Sequence, residues 1–365
     1  DTSVSIDVYE GNSSDDFRDI TGESSVDDIT LTVDEGDLTI DSPSNQYVIG
    51  SEVDINGTAS SADAVDVYVR DNNDWQLLFE NINVDADDEY EEEDVDLTAQ
   101  GNTGSSILSQ AGSYRFGVVD RSVSSGAATL TTSEFSSATS ASQSITTTEG
   151  DLSAELGTIN GQINNDIDND ADITGVAEGQ NSVALIYVDR RGGVAAVEVD
   201  VDSDGTIDES DVPVPNLEDD SNLGQLAEGA VTAHFVSSGR DSNIGDGELP
   251  GGNANNIGGL IDYVNNNVSD QNLNAAQARS LIVSETTDDT ASDDLMVTQS
   301  FRYVESQTTV DSVYPEGSEA AGINPVATGD AMVVAGTTNL RPDDNSITVE
   351  LLDSDGESVL IESTD

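Results

Sequence analysis

The chain has 365 residues, with 74 acidic side chains against 10 basic ones, and its formal net charge is -64. Every basic residue is arginine and cysteine is absent, which excludes disulfides and thiolate metal sites. The acidic balance argues against a nucleic-acid partner, and no apolar run approaches the roughly 18 residues needed to span a membrane.

The acidic residues are spread along the chain and are interleaved with short runs of alternating Val, Ile, Leu and Tyr. Such alternation is typical of half-buried strands, so we expect a folded protein and not a disordered acidic one. Self-repulsion at this charge destabilises a compact state, but about 1 M salt shortens the Debye length to about 3 Å. The composition therefore indicates a protein that lives in concentrated salt.

Residues 1–33 contain one strand-like run, Val4–Tyr9, followed by a polar stretch. We interpret them as the last strand of a preceding domain and a linker. The sequence lacks an initiating Met and a signal peptide, so we expect the interior of a longer exported protein.

Residues 34–146 contain short apolar runs separated by polar turns, which is the pattern of an immunoglobulin-like sandwich. The Ser/Thr-rich residues 122–148 are interpreted as a loop followed by a strand. From the end of the linker onward, the predicted strands are Leu31–Val33, Leu38–Ile40, Tyr47–Val48, Val53–Ile55, Val65–Val69, Leu77–Phe79, Asn81–Val84, Tyr114–Val119 and Ser142–Thr146.

Residues 147–307 have the same order of elements with one large insertion at about 241–290. Within it, Ile257–Val264 and Ala275–Val283 have apolar residues at helical spacing, with Asp270 and Asn274 as candidate caps of the second segment. Residues 308–365 contain the start of a further immunoglobulin-like domain, incomplete. The predicted fold class is therefore all-β, with tandem immunoglobulin-like β-sandwich domains, the second carrying a small helical insertion.

An internal repeat supports this array. Much of Glu52–Leu97 recurs in Asp170–Val212, and a shorter copy begins at Met332. Self-similarity with strand periodicity is typical of a series of like domains. Such arrays are more often structural than catalytic, so we expect no enzyme.

Five segments carry a specific resemblance: VIGSEVDINGTA (48–59), DSDGTIDESDV (202–212), SSGRDSNIGDGELP (237–250), TASDDLMVTQSFR (290–302) and RPDDNSITVELL (341–352). They resemble segments of the haloarchaeal cell-surface (S-layer) glycoprotein and occur in the order found in that family. The resemblance implies immunoglobulin-like domains in a hexagonal lattice around the cell, with glycans and a dependence on divalent cations. The Thr-rich spacer and C-terminal membrane anchor of the family are missing from this sequence, so anchoring is implied by the resemblance alone.

One local motif, at residues 200–211, matches the D-x-D-x-D-G loop that wraps calcium with oxygen ligands. Gly205 supplies the sharp turn. Because Val194–Val199 is predicted as a strand, the loop is not an EF-hand. The candidate ligands are Asp200, Asp202, Asp204, Thr206, Asp208 and Asp211.

Two further acidic groups are weaker candidates for calcium. The corresponding loop of the first repeat is Asn83, Asp85, Asp87, Glu89, Glu91 and Asp94, in which Asp85, Asp87 and Asp94 are the candidate ligands. The other group, Asp166, Asp168, Asp170 and Asp172, alternates like one face of a strand. The alternative for the main motif is a hairpin turn at Asp204-Gly205 on a surface that is acidic everywhere.

Three sequons, at Asn12, Asn56 and Asn267, predict N-linked glycans. Asn12 lies in the polar linker, Asn56 on a predicted strand and Asn267 in the insertion. The lone histidine, His234, is expected on the surface or at a sheet edge, and not as a general base. Trp75 is expected in core or turn packing, because sugar-binding platforms need more aromatic surface than the 4% present.

These features predict an extracellular structural glycoprotein of the cell wall, part of the surface layer of a halophilic archaeon. We expect it to self-assemble into a two-dimensional lattice, hexameric by the resemblance, with itself and divalent cations as partners. Two alternatives remain open: a surface adhesin or ligand-binding ectodomain, and the accessory β-domains of an exported hydrolase. A compact aromatic cluster or a deep carboxylate pocket would favour either alternative.

Overall fold

The computed structural model describes residues 2–9, 25–33, 36–44, 46–165, 169–215, 226–341 and 345–364. The architecture is mainly β, arranged as successive immunoglobulin-like units, as predicted. No helix among these residues is long and apolar enough to cross a membrane.

The first two strands form a hairpin of their own. Strand β1 (Thr2–Val8) pairs antiparallel with β2 (Asp27–Val33), with Val4 opposite Leu31. The sequence predicts a closing strand at Val4–Tyr9, a polar linker and a strand at Leu31–Val33, without pairing the two strands. The structure therefore differs in placing a paired hairpin there.

The first sandwich follows, and its two sheets enclose a core that includes Ile55, Val67, Tyr90 and Phe116. One sheet has the order β3-β10-β8-β5-β6-β9, and the other pairs β4 with β7 and is extended by bridges from Leu38 and Ser42. The elements are β3 (Gln46–Val48), β4 (Glu52–Thr58), β5 (Ala64–Asp71), β6 (Asp74–Asn83), β7 (Glu89–Asp96), α1 (Thr103–Leu108), β8 (Gly112–Asp120), α2 (Arg121–Ser124), β9 (Thr129–Thr131), α3 (Thr132–Ser137) and β10 (Ser140–Thr148).

The second sandwich repeats this topology, with sheets of order β11-β13-β16 and β12-β18-β17-β14-β15. Its core includes Ile173, Leu185, Phe235 and Tyr303. In immunoglobulin lettering both units run A, A′, B, C, C′, E, F, G, with A′ parallel to G. The strands are β11 (Leu152–Leu156), β12 (Gln162–Asn164), β13 (Asp170–Ala177), β14 (Ser182–Asp189), β15 (Val194–Asp200), β16 (Thr206–Pro213), β17 (Gly229–Ser237) and β18 (Leu295–Val304).

In both sandwiches the connection between strands F and G covers the outer face of the larger sheet. In the first, α2, β9 and α3 provide this cover, and Trp75 stacks on Phe135 with ring centroids 3.9 Å apart. In the second, the predicted helical insertion does so, through α4 (Ile257–Asp262), a π-helix (Tyr263–Val268) and α5 (Ala275–Ser284).

The insertion builds a second apolar layer, which explains why β14 is apolar at nearly every position. Ala184, Ile186 and Val188 lie on the outer face and pack against the helices, while their neighbours fill the sandwich core. The Asn265 side chain also bonds both backbone groups of Ala196, at 2.8 Å each, on edge strand β15. The insertion is therefore part of the fold of this unit and not a loose appendage.

The remaining described residues form two small sheets. Strands β19 (Ser312–Pro315), β20 (Gly322–Ile323) and β21 (Met332–Ala335) make one, and β22 (Ile347–Leu352) and β23 (Ser358–Thr364) make the other. By sequence alignment with the two sandwiches, β21 occupies the position of strand B, and β22 and β23 those of C and C′.

Candidate cation-binding loops and domain junctions

The calcium motif of the second unit folds as a tight hairpin turn. The Asp202 N–H donates to the Thr206 carbonyl at 2.9 Å, and the Gly205 N–H donates to the Asp202 carbonyl at 2.8 Å. Gly205 has a positive φ of 82°, the left-handed conformation that favours glycine. These bonds join β15 to β16, so the D-x-D-G spacing is that of a hairpin connection.

The same turn occurs in the other two repeats. The Asp85 N–H donates to Glu89 and the Asp353 N–H donates to Glu357, in both cases at distances of 2.8 to 2.9 Å. Gly356 provides the left-handed residue in the third unit, whereas Asp88 adopts φ 64° in the first. The recurrence of this acidic motif is thus explained by turn geometry in all three repeats.

The side chains of this turn are engaged with their own backbone. Asp204 Oδ1 accepts hydrogen bonds from both the N–H (3.0 Å) and the hydroxyl (2.6 Å) of Thr206, which lowers the pKa of this carboxyl. In the first repeat, Asp85 Oδ1 accepts from the N–H groups of Asp87 and Glu89 at 2.9 and 3.0 Å. These carboxylates are held as Asx-type turn acceptors.

The remaining predicted ligands are separated by the strand geometry. Asp200 ends β15, Asp208 pairs with Thr174 within the sheet, and Asp211 lies in a β-bulge with φ 56°. Among the described residues, no group of three or more His, Cys, Asp or Glu side chains is arranged to hold a metal ion. The loop of one chain therefore does not fit a calcium site as it stands, and calcium stays a prediction.

The bulge creates an acidic notch that recurs in both sandwiches. In the first, the Asp94 N–H donates to Asp54 Oδ1 at 3.2 Å, and Asp94 has φ 54°. In the second, the Asp211 N–H lies 3.4 Å from Asp172 Oδ1. Asp94, predicted as a calcium ligand, thus occupies the same bulge position as Asp211.

In the second sandwich an arginine fills this notch. Arg341, from the segment that follows β21, pairs with Asp170, with Asp172 at 3.0 Å and with Asp211 at 3.3 Å. Its side chain is 15% exposed, so solvent screens it only in part. The pairing binds the third unit to the second.

Asn339 adds a hydrogen-bond network to this junction. Its carbonyl accepts from Asn164 at 2.7 Å, and its amide donates to Gln162 at 3.2 Å and to the Glu305 carbonyl at 3.1 Å. Asn339 Oδ1 in turn accepts from the Gln307 N–H at 2.7 Å. The side chain is almost fully buried, so these bonds fix the position of the segment around Asn339 against the second sandwich.

The junction between the first and second sandwiches depends on glycine. A Cβ on Gly179 would lie 2.1 Å from the Ile49 carbonyl oxygen, and one on Gly50 would lie 2.4 Å from the Gly179 oxygen. Nearby, Arg240 reaches Glu149 in the linker and Asp293 at the base of the insertion, the latter at 3.1 Å. Only residues without side chains permit this close backbone contact.

Sequence reasoning missed Arg240 and Arg341. The signal was present: with ten arginines against 74 acids, each arginine is a candidate for a specific acidic partner. Among the described residues, the ion pairs fall into three clusters: Arg341 joins the third unit to the second, and Arg240 holds the segment between the first two sandwiches. The third pairs Arg121 with the fully buried Asp66 inside the first sandwich.

The base of the insertion carries an unusual buried carboxyl, Asp294, just before β18. Its Oδ2 accepts from the Gly245 N–H at 2.9 Å, while its Oδ1 is enclosed and has no partner among the described residues. Burial, together with the nearby Asp293 and Asp241, raises the pKa of Asp294 to about 7. Burial also raises the pKa of Asp293 and of Glu285.

The described sequons lie in ordered structure. Asn56 is half-buried in β4, and the Thr58 hydroxyl of its sequon bonds Thr39 at 2.9 Å. Asn267 is half-buried in the π-helix, where its Oδ1 accepts from Asn253 at 3.1 Å. Asn12, with Asp166 and Asp168 of the third acidic cluster, lies outside the described residues. Glycosylation at these sites stays a prediction.

The expectation of a surface or edge position for His234 is wrong. His234 is only 6% exposed and lies in β17, between β14 and β18, because the insertion covers this face. Its Nδ1 is 2.9 Å from the Thr298 hydroxyl. Burial, with a contribution from Arg279, lowers the pKa of His234 to about 4, so the ring is neutral. Trp75 is buried against Phe135, as expected for packing.

No protein-family model matches the chain. Among curated proteins, the cell surface glycoprotein of Haloarcula japonica is 41% identical over 390 aligned residues, covering 100% of this chain and 42% of the relative. That of Halobacterium salinarum is 40% identical over 388 residues, with coverages of 100% and 42%. That of Haloarcula marismortui is 41% identical over 350 residues, with coverages of 93% and 37%. The chain thus spans about two fifths of the length of the curated relatives that it matches.

Similarity to solved structures is weak. A tetra-tandem repeat from the extending region of a large adhesion protein is 16% identical, with a TM-score of 0.27, over 90% of this chain and 63% of that one. A Salmonella alpha-2-macroglobulin is 8% identical, with a TM-score of 0.20, over 90% of this chain and 20% of that one. These scores are too low to support a functional argument.

Proposed function

Because this chain is homologous along its whole length to the haloarchaeal cell surface glycoproteins, we propose that it is a structural segment of a surface layer that self-assembles around a halophilic archaeon. The homology is the observation that carries the proposal. In this proposal the chain lies at the cell surface, and its partners are further copies of itself in a two-dimensional lattice. The resemblance implies that this lattice is hexameric.

The junctions support a structural role. A lattice component must hold its units at fixed distances and angles. In this chain the glycine contact between Gly50 and Gly179 and the Arg341 pairing each restrict one junction. Neither junction has the composition of a flexible Gly/Ser linker. A stiff array of sandwiches is the form that such a layer requires.

The net negative charge of the chain supports a location outside the cell in concentrated salt. The -64 net charge includes the outer residues of β7, Glu89, Glu91 and Glu93, which lie on a sheet edge. Charged edges prevent strands of neighbouring molecules from pairing indiscriminately. Concentrated salt then screens the repulsion that would otherwise keep copies apart.

Divalent cations and N-linked glycans are part of the proposal as predictions. Since the described side chains of a single chain do not gather into a cation site, a cation would require ligands from elsewhere or a rearranged loop. The adhesin and hydrolase alternatives have less support. The one tryptophan is buried, and the one histidine is buried beneath the insertion, so neither is presented to a large ligand.

Electron microscopy of isolated envelopes with gold-labelled antibody against this chain tests the proposal. We expect the label to follow a periodic array that disappears when salt is removed. Label confined to the culture medium, or to amorphous patches on an envelope whose lattice is made of another protein, would overturn the structural assignment. An antibody against a cytoplasmic protein serves as the control for penetration of the envelope.

A further inference from the structure

A small group of polar side chains lies beneath the insertion of the second sandwich. It consists of Thr232 and His234 on β17, Thr298 on β18 and Arg279 on α5. Thr232 and His234 are two positions apart, so they share the outer face of the sheet, while their neighbours fill the sandwich core. Their exposures are 8% and 6%, because the insertion covers this face. The group therefore places polar atoms within an otherwise apolar layer.

Arg279 carries a charge that no carboxylate of the described residues neutralises. The ion pairs among those residues involve Arg121, Arg240 and Arg341, although the chain has 74 acidic side chains. Arg279 instead donates from Nη2 to the neutral hydroxyl of Thr232. Its Nε is enclosed and has no hydrogen-bond partner in the described part of the chain. Placing a charge away from water costs free energy unless a counter-charge accompanies it.

His234 presents a second polar atom of the same kind. Its ring is neutral, and Nδ1 lies 2.9 Å from the Thr298 hydroxyl. When Nδ1 accepts from this hydroxyl, the ring proton lies on Nε2. Nε2 is enclosed and, among the described residues, has no hydrogen-bond partner. Since buried polar atoms are rarely left unpaired, such a donor indicates a bound ion or an ordered water.

The two donors belong to one site. Arg279 reaches β17 at Thr232, and the ring of His234 projects from the same face two residues further along the strand. The guanidinium charge also acts on the ring, since burial and then Arg279 lower the pKa of His234. A positive potential therefore exists beneath the insertion of a chain whose net charge is -64. Such a potential attracts an anion and repels a cation.

We propose that the Nε2–H of His234 and the Nε–H of Arg279 bind a small monovalent anion, which in a NaCl brine is chloride. Enclosure of both donors excludes a sugar acid or a carboxylate side chain of a second copy, which could not reach them. Arg279 is only half-buried, so a small ion can exchange with solvent along its side chain. The site goes beyond the proposed function and requires no assembly of copies.

Bound chloride stabilises the folded chain in a way that screening does not. An anion that binds only the folded state, at about ten times its dissociation constant, raises the ratio of folded to unfolded protein about elevenfold. Screening, in contrast, depends on ionic strength and not on which anion supplies it. Replacing chloride with gluconate, which is too large for an enclosed site, separates the two effects at constant sodium concentration.

His234 offers a direct measurement, because it is the only histidine of the chain. Untagged protein labelled with ¹⁵N in histidine contains one imidazole, so its ring signals need no assignment. Sodium gluconate is exchanged stepwise for NaCl at constant sodium concentration. We expect the Nε2 signal to move along a saturable curve. The ratio of folded to unfolded protein, measured by urea unfolding, should rise with the same dissociation constant.

Variants of Arg279 test its part in the site. R279M removes the charge and the donor but keeps an apolar stem, and it should abolish the chloride dependence of both measurements. R279K keeps a charge without the Nε donor and should raise the dissociation constant about tenfold, the loss expected for one charge-assisted hydrogen bond. R302M removes an exposed arginine from β18, and as the matched control it should respond to chloride like the parent.

Crystals soaked in NaBr locate the ion. We expect an anomalous bromine peak within hydrogen-bonding distance of both donors. An ordered water without bromine at this position, or a His234 signal that does not respond to chloride, would overturn the proposal. So would a full chloride response in R279M or, where R279M fails to fold, a dissociation constant in R279K equal to that of the parent. None of these results bears on the proposed surface-layer function, since none of the measurements involves assembly.

Discussion

The buried carboxyl Asp294 gives a sharp test of the structure. It is 7% exposed, its Oδ1 has no partner among the described residues, and its pKa is raised to about 7 by burial and by Asp293 and Asp241. The substitution D294N removes the charge but keeps the shape and an acceptor for the Gly245 N–H. We therefore expect D294N to stabilise the second sandwich at neutral pH.

The magnitude follows from the pKa difference. An aspartate in an unfolded chain has a pKa of about 3.9, so the shift is about 3 units, and each unit corresponds to about 1.36 kcal/mol. The folded state binds the proton more tightly, so the parent loses stability as pH rises from about 4 to about 7 and stays at the lower level above that. D294N should therefore be more stable than the parent by up to about 4 kcal/mol near pH 8, and nearly equal to it near pH 4.

Urea unfolding at constant high NaCl measures this difference. Far-UV circular dichroism follows all units, whereas fluorescence of Trp75 reports only the first sandwich and should be unaffected. D288N, which neutralises an exposed carboxyl on the same insertion, is the matched control for net charge. A stability gain for D294N that is the same at every pH, or is matched by D288N, would refute the reasoning.

Four further predictions follow from the same structure. R341A should loosen the third unit from the second at a cost of about 1 kcal/mol, because Asp172 and Asp211 are 55% and 72% exposed. Small-angle scattering in brine should then show a broader distribution of shapes. R115A, on the first sandwich, should leave that distribution unchanged. Deleting Ser242 to Thr287 should destabilise the second sandwich itself, by about 1.5 kcal/mol or more for each large apolar side chain that becomes exposed, such as Ile186. An unchanged urea midpoint would show that the insertion does not stabilise this sandwich through packing. Dialysis to low salt should unfold the chain, because a -64 charge is then unscreened, and unchanged circular dichroism would refute this. If calcium binds the Asp200 loop, chelator at constant NaCl should lower the melting temperature of the parent and leave D202N/D204N unaffected, while no response in the parent would leave the loop as a hairpin turn alone.

Strands with alternating apolar residues were predictable from the sequence. Val65–Val69 and Tyr114–Val119 lie within β5 and β8, and the two predicted helical segments begin at Ile257 and Ala275 as found. Two predicted strands, Leu77–Phe79 and Asn81–Val84, are largely one strand, β6. Asn81 with φ 64° interrupts its alternation, and Asp66 accepts the Asn81 N–H at 2.8 Å.

Strand β7 was missed for a physical reason. Between Glu89 and Asp96 only Tyr90 and Val95 are apolar, because the other side of this strand faces solvent and is acidic. Those acids were interpreted as a calcium loop. The bulge at Asp94 adds one residue to the strand, so the two buried residues, Tyr90 and Val95, are five positions apart and do not fit a period of two.

The junction contacts were beyond prediction from local pattern. Arg341 and Asp170 are 171 positions apart, and the sequence gives no periodic signal for a contact at that separation. Asp211 shows the same difficulty, since it fits the last position of a calcium loop and the structure also pairs it with Arg341 at a bulge. The same acidic residues fit both a calcium loop and a bulge paired with arginine, and only the three-dimensional arrangement shows which contacts they make.

The covering of one sheet by the F–G connection makes each sandwich asymmetric in its hydration. On the covered side, α5 and its neighbours exclude water from Ile186 and Val188. On the opposite sheet of the same sandwich, the outward residues of β13 and β16, such as Thr174 and Asp208, are exposed and keep their hydration shells. Water and counterions therefore have access to the acidic sheet of this sandwich, whereas the apolar packing of the insertion keeps them from Ile186 and Val188 on the outer face of the other sheet.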